Sequence, residues 1–567
     1  MILQALNEIQ DRCGYLPADE LRALAARLNE PLHRVHELAS FYPRYHLTPP
    51  AAVEVRVCRD MVCHLRGVTE LRRTLATLAG ELAPGQVRVS GASCLGQCDR
   101  APSVLSINDQ VYRGLSEAEI RTQIETALAK RPLPRQHADR SRCGWMIDPY
   151  EGRPTYAVVR RLVEGGDSDA VLREIETAEL RGMGGAGFPT ARKWAAVRSA
   201  PGEVKYVICN ADESEPGTFK DRELLRRVPH LVIEGMVTAG LVTGAARGYV
   251  YIRHEYHDEI DAIREAIRQA EAAGVCGEQL LGSGRSFPVE VFISPGGYIQ
   301  GEESALLEAM EDRRGEPRNK PPFPVTHGLY GQPTVINNVE TLAWVPVIVL
   351  RGGAWYRGQG VNGATGLRFV SVSGDVNRPG TYEVPLGQTV RELVLETAGG
   401  VRDGQRLKAI ATSGPSGGFL PAFIKAADLP EKFVKERLPA GAAGLDILDL
   451  TLDWQTLASV RGMLGAAFVV YGDRADMVEQ ALNCVEFYRN ESCGKCVPCR
   501  LGSQQLVNIL TDLRADTCSR ERLAGIGELA ETMYLTSICG LGQVAANPIT
   551  SVLKYFPEAV ARYLRQT

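Results

Sequence analysis

The chain has 567 residues, 44% of them apolar and 23% charged, which is the balance of a soluble, folded protein and excludes a disordered one. The net charge of −4 leaves no basic surplus for wrapping nucleic acid, and 14 cysteines are too dilute for a disulfide scaffold. At roughly 100–200 residues per domain, the length suggests about three to five domains.

Taken in chain order, residues 1–50 pattern as a helical segment. Ile2, Leu3, Leu6 and Ile9 share one helical face within 1–12, Leu21, Leu24 and Leu28 another, and Pro31 opens a third short helix. No basic, apolar and small-residue succession of a secretory signal appears. Residues 51–130 predict a small α/β domain: a strand over 53–57 ending at Cys58, a helix over 67–82, a strand over 87–89, a hairpin over 104–107 and 110–112, and a helix over 116–129. Residues 131–149 read as a polar, proline-containing linker. Residues 150–350 form a larger α/β region, with strands expected over 205–208, 248–252 and 289–292 and helices over 224–239 and 258–273. A small β-containing unit is expected over 365–450, with turns at 374–375 and 379–380, and a mostly helical unit over 475–567. The fold class is thus multidomain α/β. The longest apolar runs, 345–350 and 466–470, fall far short of the roughly 18–20 residues of a membrane span. A cytoplasmic, reducing location is the expectation, and it leaves thiols free for metal.

The cysteines group into two constellations. Cys58 and Cys63 follow one predicted strand, and Cys94 and Cys98 follow another in a Gly-rich loop. Four thiolates at loop positions suit zinc or an iron–sulfur centre, with unrelated buried thiols as the remaining reading. Cys493, Cys496 and Cys499 stand at CxxCxxC spacing before a helix, a spacing common for a cubane iron–sulfur cluster, with structural zinc as the rival. A fourth ligand must come from elsewhere. Cys539, in another Gly-rich turn, is the better candidate, and Cys518, in a polar helical context, is the alternative. Of the others, Cys13, Cys143, Cys276 and Cys484 read as ordinary core or surface thiols, and Cys209 is set apart by its place just before an acidic loop.

Between the constellations lie four polar or glycine-rich segments. Gly182, Gly184, Gly185 and Gly187 would let backbone N–H groups approach a phosphate, with Lys193 reaching back as a point charge. No convincing strand precedes this loop, so it is not a clean dinucleotide fingerprint, and a tight loop against a helix is the plain alternative. Asn210, Asp212, Glu213 and Glu215 directly follow a strand, where acids are costly unless they bind something. A cofactor site at strand C-termini is the expectation there. Gly296, Gly297, Tyr298, Gly301, Glu302 and Glu303 form the third segment, and Asn337–Asn338 the fourth. Beside two metal sites, these loops favour a redox flavoprotein.

These segments together resemble the flavin-bearing NADH-oxidising subunit of respiratory complex I, fused behind its small thioredoxin-like [2Fe–2S] partner, over nearly the whole chain. The resemblance implies a thioredoxin-like [2Fe–2S] domain, an FMN-binding α/β domain, a β-grasp-like (SLBB) domain and a C-terminal helical [4Fe–4S] domain. It implies that Cys58, Cys63, Cys94 and Cys98 bind the [2Fe–2S] cluster, and Cys493, Cys496, Cys499 and Cys539 the [4Fe–4S] cluster. Asn210, Asp212, Glu302, Asn337 and Asn338 would hold FMN behind the glycine loop. Phe188, Lys193, Glu215, Glu303, Lys320 and Phe323 would shape the NAD(H) site, with Glu213, Tyr298 and Gly301 in the same cofactor-binding segments. No side chain need act as an acid or base: hydride passes between cofactors, and geometry supported by Glu215 does the work. Met183, Ala191 and Gln300 stand where this family frequently has Arg, Gly and Cys, and Met183 gives up a charge near the phosphate.

The fusion resembles soluble NAD-dependent formate dehydrogenases and NAD-reducing hydrogenases. The run 538–543, with Asn547-Pro548 and Lys554-Tyr555-Phe556-Pro557, looks most like the formate dehydrogenase β (diaphorase) subunit. That implies a catalytic large subunit as partner, bearing iron–sulfur clusters and a molybdenum or tungsten pterin. The alternatives are the diaphorase of an NAD-reducing hydrogenase or another NADH:acceptor complex, and a zinc-stabilised scaffold without catalysis.

Overall fold

The structure is a computed structural model and describes residues 2–564 apart from Ala138 and Arg142. Met1, those two linker positions and the last three residues, 565–567, lie outside the described residues although the expected elements include them.

Three short helices lead the chain: Ile2–Cys13, Ala18–Leu28 and Leu32–Phe41. Their apolar faces close on a distant partner. Ile2, Leu6, Leu24, Val35 and Leu38 share one core with Ile208, Tyr251, Phe292 and Ile336. Asp312 fastens the start of the first helix, accepting from the Ile2 and Leu3 N–H groups at 2.7 and 2.9 Å, two donors that a helix terminus leaves unpaired.

The second unit is a four-stranded sheet of β1 (Val53–Cys58), β2 (Val87–Ala92), β3 (Val104–Ile107) and β4 (Gln110–Arg113) in the order β2-β1-β3-β4. β1 runs parallel to β2 and antiparallel to β3. The expected helix over 67–82 is Val68–Leu82, and a further short helix, Met61–Leu65, precedes it. Gly67, at φ 89°, makes the break between them.

The third unit carries β5 (Tyr206–Ala211), β6 (Arg247–Arg253), β7 (Val289–Ser294) and β8 (Thr334–Asn338), all parallel, in the order β7-β6-β5-β8. A parallel sheet must be covered on both faces. Val207, Cys209 and Ala211 point into a core with the helices Pro229–Thr243 and Val339–Arg351, whereas Ile208 points to the N-terminal helices. The leading helical segment is therefore the second cover of this sheet. The single helix expected over 224–239 is two, Lys220–Arg227 and Pro229–Thr243, because Pro229 cannot donate back and instead starts a new helix. β8 lies outside the strands expected from the sequence: it ends in two asparagines, which have low strand propensity.

The fourth unit has β9 (Leu367–Gly374), β10 (Gly380–Pro385), β11 (Leu407–Ala411) and β12 (Leu420–Pro421), a small ladder of β13 (Phe423–Lys425) with β14 (Gly444–Asp446), and β15 (Ala467–Gly472). The main sheet order is β10-β9-β15-β11-β12. Its central strand β15 lies beyond the expected boundary at 450, because a short apolar run does not by itself announce which sheet it enters. The remainder is helical, led by Met477–Glu491 and Val497–Arg514. Among the described residues no helix is long and apolar enough to cross a membrane.

Candidate active site between two cysteine sets

The strand order reverses between β5 and β8, so their connections leave in opposite directions and open a crevice at the strand C-termini. A cavity of about 510 Å³ lies there. Gly182, Gly184, Gly185, Gly187, Phe188 and Lys193 form one wall. Asn210, Asp212, Glu213 and Glu215 form the second; Tyr298, Gly301, Glu302, Glu303 and Lys320 form the third; and Asn337 and Asn338 close the end of β8. Of the residues expected to hold cofactor or nucleotide, Phe323 alone is off this wall, with 52% of its surface exposed.

The glycine loop is closed by Gly182 N–H donating to the Phe188 carbonyl at 2.9 Å. Gly185 takes φ 116°, open only to glycine, and a Cβ on Gly184 would sit 3.2 Å from Asn338 Cβ. Backbone donors can therefore approach a ligand closely. Lys193 is tethered: its Nζ donates to the Ile336 carbonyl at 2.9 Å, and burial lowers its pKa. Trp194 Nε1 donates to Asn337 Oδ1 at 2.8 Å, which orients that amide.

The acids divide by role. Asn210 Nδ2 donates to the Gly301 carbonyl at 2.8 Å, joining two walls. Asp212 accepts from the Ser214 and Ser294 hydroxyls at 2.5 and 2.9 Å, and burial pushes its carboxyl up to about 6. Glu213 turns inward and accepts from the Asp221 and Arg222 N–H groups and from the Tyr256 hydroxyl. Its carboxylate is largely used in holding its own loop, and burial raises its pKa. Glu302 caps the helix Glu303–Met310 through Ser304 and Ala305 N–H, both at 2.9 Å, while Lys320 bridges Glu302 and Glu303 at 2.8 and 2.6 Å.

Sequence reasoning does not single out Lys220, Asp221, Glu340 or Ser416. Lys220 lies beneath the cavity with Nζ 2.6 Å from Asp221 and 2.9 Å from Glu340, and it donates to Asn338 Oδ1 at 3.1 Å. Burial works against its charge, yet Asp221, Glu340 and Glu213 together raise its pKa. A cue is present, since Lys220 and Asp221 continue the acidic loop. Ser416 offers none, being one serine in a Gly-Pro-Ser-Gly-Gly turn.

The first cysteine set packs against the acidic loop. Cys58, Cys63, Cys94 and Cys98 are all buried, Cys94 and Cys98 sulfurs lie 3.6 Å apart, and Cys58 contacts Cys63 and Cys94. Gly217 N–H, from the acidic loop, donates to Cys98 Sγ at 3.3 Å, and Gly96 N–H supports Cys94. In the second set, Ser492 Oγ lies 3.2 Å from Cys499 Sγ, and Lys495 N–H supports Cys493. Leu541 and Gly542 N–H groups support Cys539, whose pKa burial pushes up to about 12. A Cβ on Gly542 would lie 2.9 Å from Cys499 Cβ, so the Cys539 turn is pressed against the CxxCxxC segment. Cys518 instead faces Arg522 and Asp512 and contacts the Ser519 carbonyl. All 14 cysteines are free of disulfides. Thiolate frames with N–H donors aimed at sulfur fit iron–sulfur clusters, whose charge those donors offset.

Comparison with known proteins accounts for each unit. Residues 1–128 match the thioredoxin-like [2Fe-2S] ferredoxin family, 175–347 the Nuo51 FMN-binding domain, 369–420 the SLBB domain and 479–563 the NADH-ubiquinone oxidoreductase-F iron-sulfur binding region. The chain is 41% identical over 414 residues to an F-type NADH-quinone oxidoreductase subunit of Rhizobium meliloti (strain 1021), covering 73% of this chain and 93% of that protein. It is 39% identical over 419 residues to the NADP-reducing hydrogenase subunit HndC of Solidesulfovibrio fructosivorans, covering 73% and 80%. A crystal structure of an NAD+-reducing [NiFe]-hydrogenase in the H2-reduced state superposes on 99% of this chain and 94% of its own, with a TM-score of 0.85 and 32% identity. With an FMN-binding unit between two iron–sulfur units, this chain belongs to the NADH-quinone oxidoreductase-F family, as an NAD-linked flavin and iron–sulfur oxidoreductase subunit.

Proposed function

We propose that this diaphorase works in a complex of the NAD-reducing hydrogenase type, exchanging electrons between NAD(H) and a larger partner subunit that bears iron–sulfur clusters. One observation carries the reading. The hydrogenase chain superposes on 99% of this one, both iron–sulfur units included, whereas the Rhizobium meliloti relative matches 73% of it. The formate dehydrogenase reading, with a molybdenum or tungsten pterin partner, rests on the C-terminal run around Cys539 and Asn547-Pro548 and stands second.

FMN, when bound, converts a two-electron hydride into the single electrons that iron–sulfur clusters carry. The residues of this chain would hold it and exclude water. The glycine loop would offer N–H groups to the phosphate, with Asn210, Asp212, Glu302, Asn337 and Asn338 around the remainder. Phe188, Lys193, Glu215, Glu303 and Lys320 would shape the nucleotide side, and Phe323 would join from outside the cavity wall. Cys58, Cys63, Cys94 and Cys98 would ligate the [2Fe–2S] cluster, and Cys493, Cys496, Cys499 and Cys539 the [4Fe–4S] cluster. Gly540 and Leu541 line the cavity next to Cys539, so the second cluster would stand beside the flavin.

Purification with native partners, followed by NAD⁺ reduction assays with hydrogen or formate as donor, tests the assignment. Hydrogen-dependent reduction is the expected result, and formate-dependent reduction moves the assignment to the second reading. A chain loaded with flavin and iron that does not oxidise NADH with an artificial acceptor overturns both.

A further inference from the structure

The Glu215 carboxylate is held from across the molecule. Its Oε1 accepts from Ser416 N–H at 3.1 Å and from the Ser416 hydroxyl at 2.7 Å, although the two residues are 201 positions apart. Ser416 lies in the loop between β11 and β12 of the β-grasp-like unit, and Ser413 and Ser416 face the same cavity as Glu215. With the Ser416 proton committed to the carboxylate, the Tyr488 hydroxyl, 2.9 Å away, donates to Ser416 Oγ. Tyr488, Ser416 and Glu215 thus form one directed chain of hydrogen bonds.

The loop is itself fixed on both sides. Asn547 Nδ2 donates to the Ser416 carbonyl at 2.8 Å, and Phe419 N–H donates to Ser551 Oγ at 2.9 Å, both from the C-terminal helical unit. Toward the cavity, Gly414 has φ 55°, and a Cβ there would lie 2.6 Å from the Pro216 carbonyl oxygen and 3.0 Å from Glu215 Cγ. Only glycine allows the loop so close to the acidic segment. Two donors on Oε1, together with the Tyr298 hydroxyl, which also donates to the carboxylate, fix the plane of the group, and its unused lone pairs are left for ligand hydroxyl or amide groups.

We infer that the 413–418 loop of the β-grasp-like unit is a wall of the nucleotide site, and that Ser416 is a positioning residue that aims Glu215 at the hydroxyl or carboxamide donors of NAD(H). The inference rests on the reading of the cavity as the NAD(H) site. It gives the β-grasp-like unit a part in substrate binding, exercised without contact between Ser416 and the reacting atoms.

Steady-state NADH oxidation with ferricyanide by the cofactor-loaded protein, compared across Ser416→Ala, Ser416→Thr and Tyr488→Phe, tests it. Ser416→Ala is expected to raise KM for NADH about tenfold, or about 1.4 kcal/mol, with kcat within about twofold. Ser416→Thr, which keeps the hydroxyl, returns KM to within about threefold of wild type, and Tyr488→Phe raises it by about threefold. Flavin and iron content should not change. A purely structural role would instead lower the melting temperature and leave KM alone. A Ser416→Ala protein with full cofactor content and wild-type KM overturns the inference. Where that variant does not load cofactor, a wild-type KM in Tyr488→Phe overturns it equally. A wild-type protein that does not oxidise NADH defeats the underlying reading, whereas an active wild type with an unaltered Ser416→Ala defeats only the role of the loop.

Discussion

One guanidinium joins the first cysteine set to the acidic loop: Arg253 donates from Nη2 to the Cys94 carbonyl and from Nη1 to the Glu213 carbonyl, both at 2.6 Å. Glu255 faces it at 2.9 Å, the Tyr256 ring lies 5.1 Å away, and the residue is 3% exposed. The forked geometry of arginine serves both carbonyls at once, which a lysine cannot do.

Arg253→Met leaves the half-buried Glu255 without its guanidinium partner and two carbonyls without their donor. Each buried group so orphaned costs about 1–3 kcal/mol. We expect a loss of that size in urea unfolding and less iron per chain, with Arg253→Lys recovering only part. Unchanged stability and iron in Arg253→Met would remove this residue from the junction.

Lys220 makes a second test because it serves two carboxylates and an amide together. Lys220→Met is expected to destabilise by about 3–5 kcal/mol, since Asp221 and Glu340 are left close together in the interior. Asn338 loses a donor on its Oδ1, so flavin retention should fall as well. The pair Lys220→Met with Glu340→Gln should lose less than the sum of the two single changes, as coupled neighbours do. Strict additivity would show the contact to be energetically idle.

The units and the two cysteine sets are legible in the sequence because their signals are local. CxxCxxC spacing, glycine loops and the apolar alternation of β6 and β7 need no knowledge of the rest of the chain. What stays hidden depends on tertiary placement. The helices around Leu6 and Leu24 look like an independent segment, yet Ile208 and Ile336 complete their core. Glu213 and Glu215 look equivalent, yet one turns inward to its own loop and the other faces a serine of another unit. No periodicity distinguishes Ser416 from other turn serines.

Glu234 sets a pH dependence. Burial pushes its carboxyl from 4.5 to about 7, partly offset by the Tyr150 hydroxyl and the Val158 and Val159 N–H groups. The folded chain therefore binds more protons than the unfolded one between these values, so stability falls as pH rises from about 4.5 through about 7. Glu234→Gln keeps an acceptor for these donors and carries no charge at any pH. We expect it to be more stable than wild type by about 1–3 kcal/mol at pH 8, with the difference vanishing below about pH 4. A difference that does not vary with pH would contradict this role.

The choice between Cys539 and Cys518 as fourth partner of the CxxCxxC segment can be read from iron content. The Gly542 turn holds Cys539 against Cys499, and Leu541 and Gly542 N–H groups point at its sulfur. Cys518 has Arg522 and Asp512 as neighbours and no cysteine among the groups that shift its pKa. Cys539→Ser or Cys496→Ser should therefore remove up to about four irons per chain, the content of one cubane. The low-temperature EPR signal of that cluster should disappear with them, and flavin should remain. Cys518→Ser should keep both iron and signal. Iron lost from Cys518→Ser and kept in Cys539→Ser would exchange the two assignments.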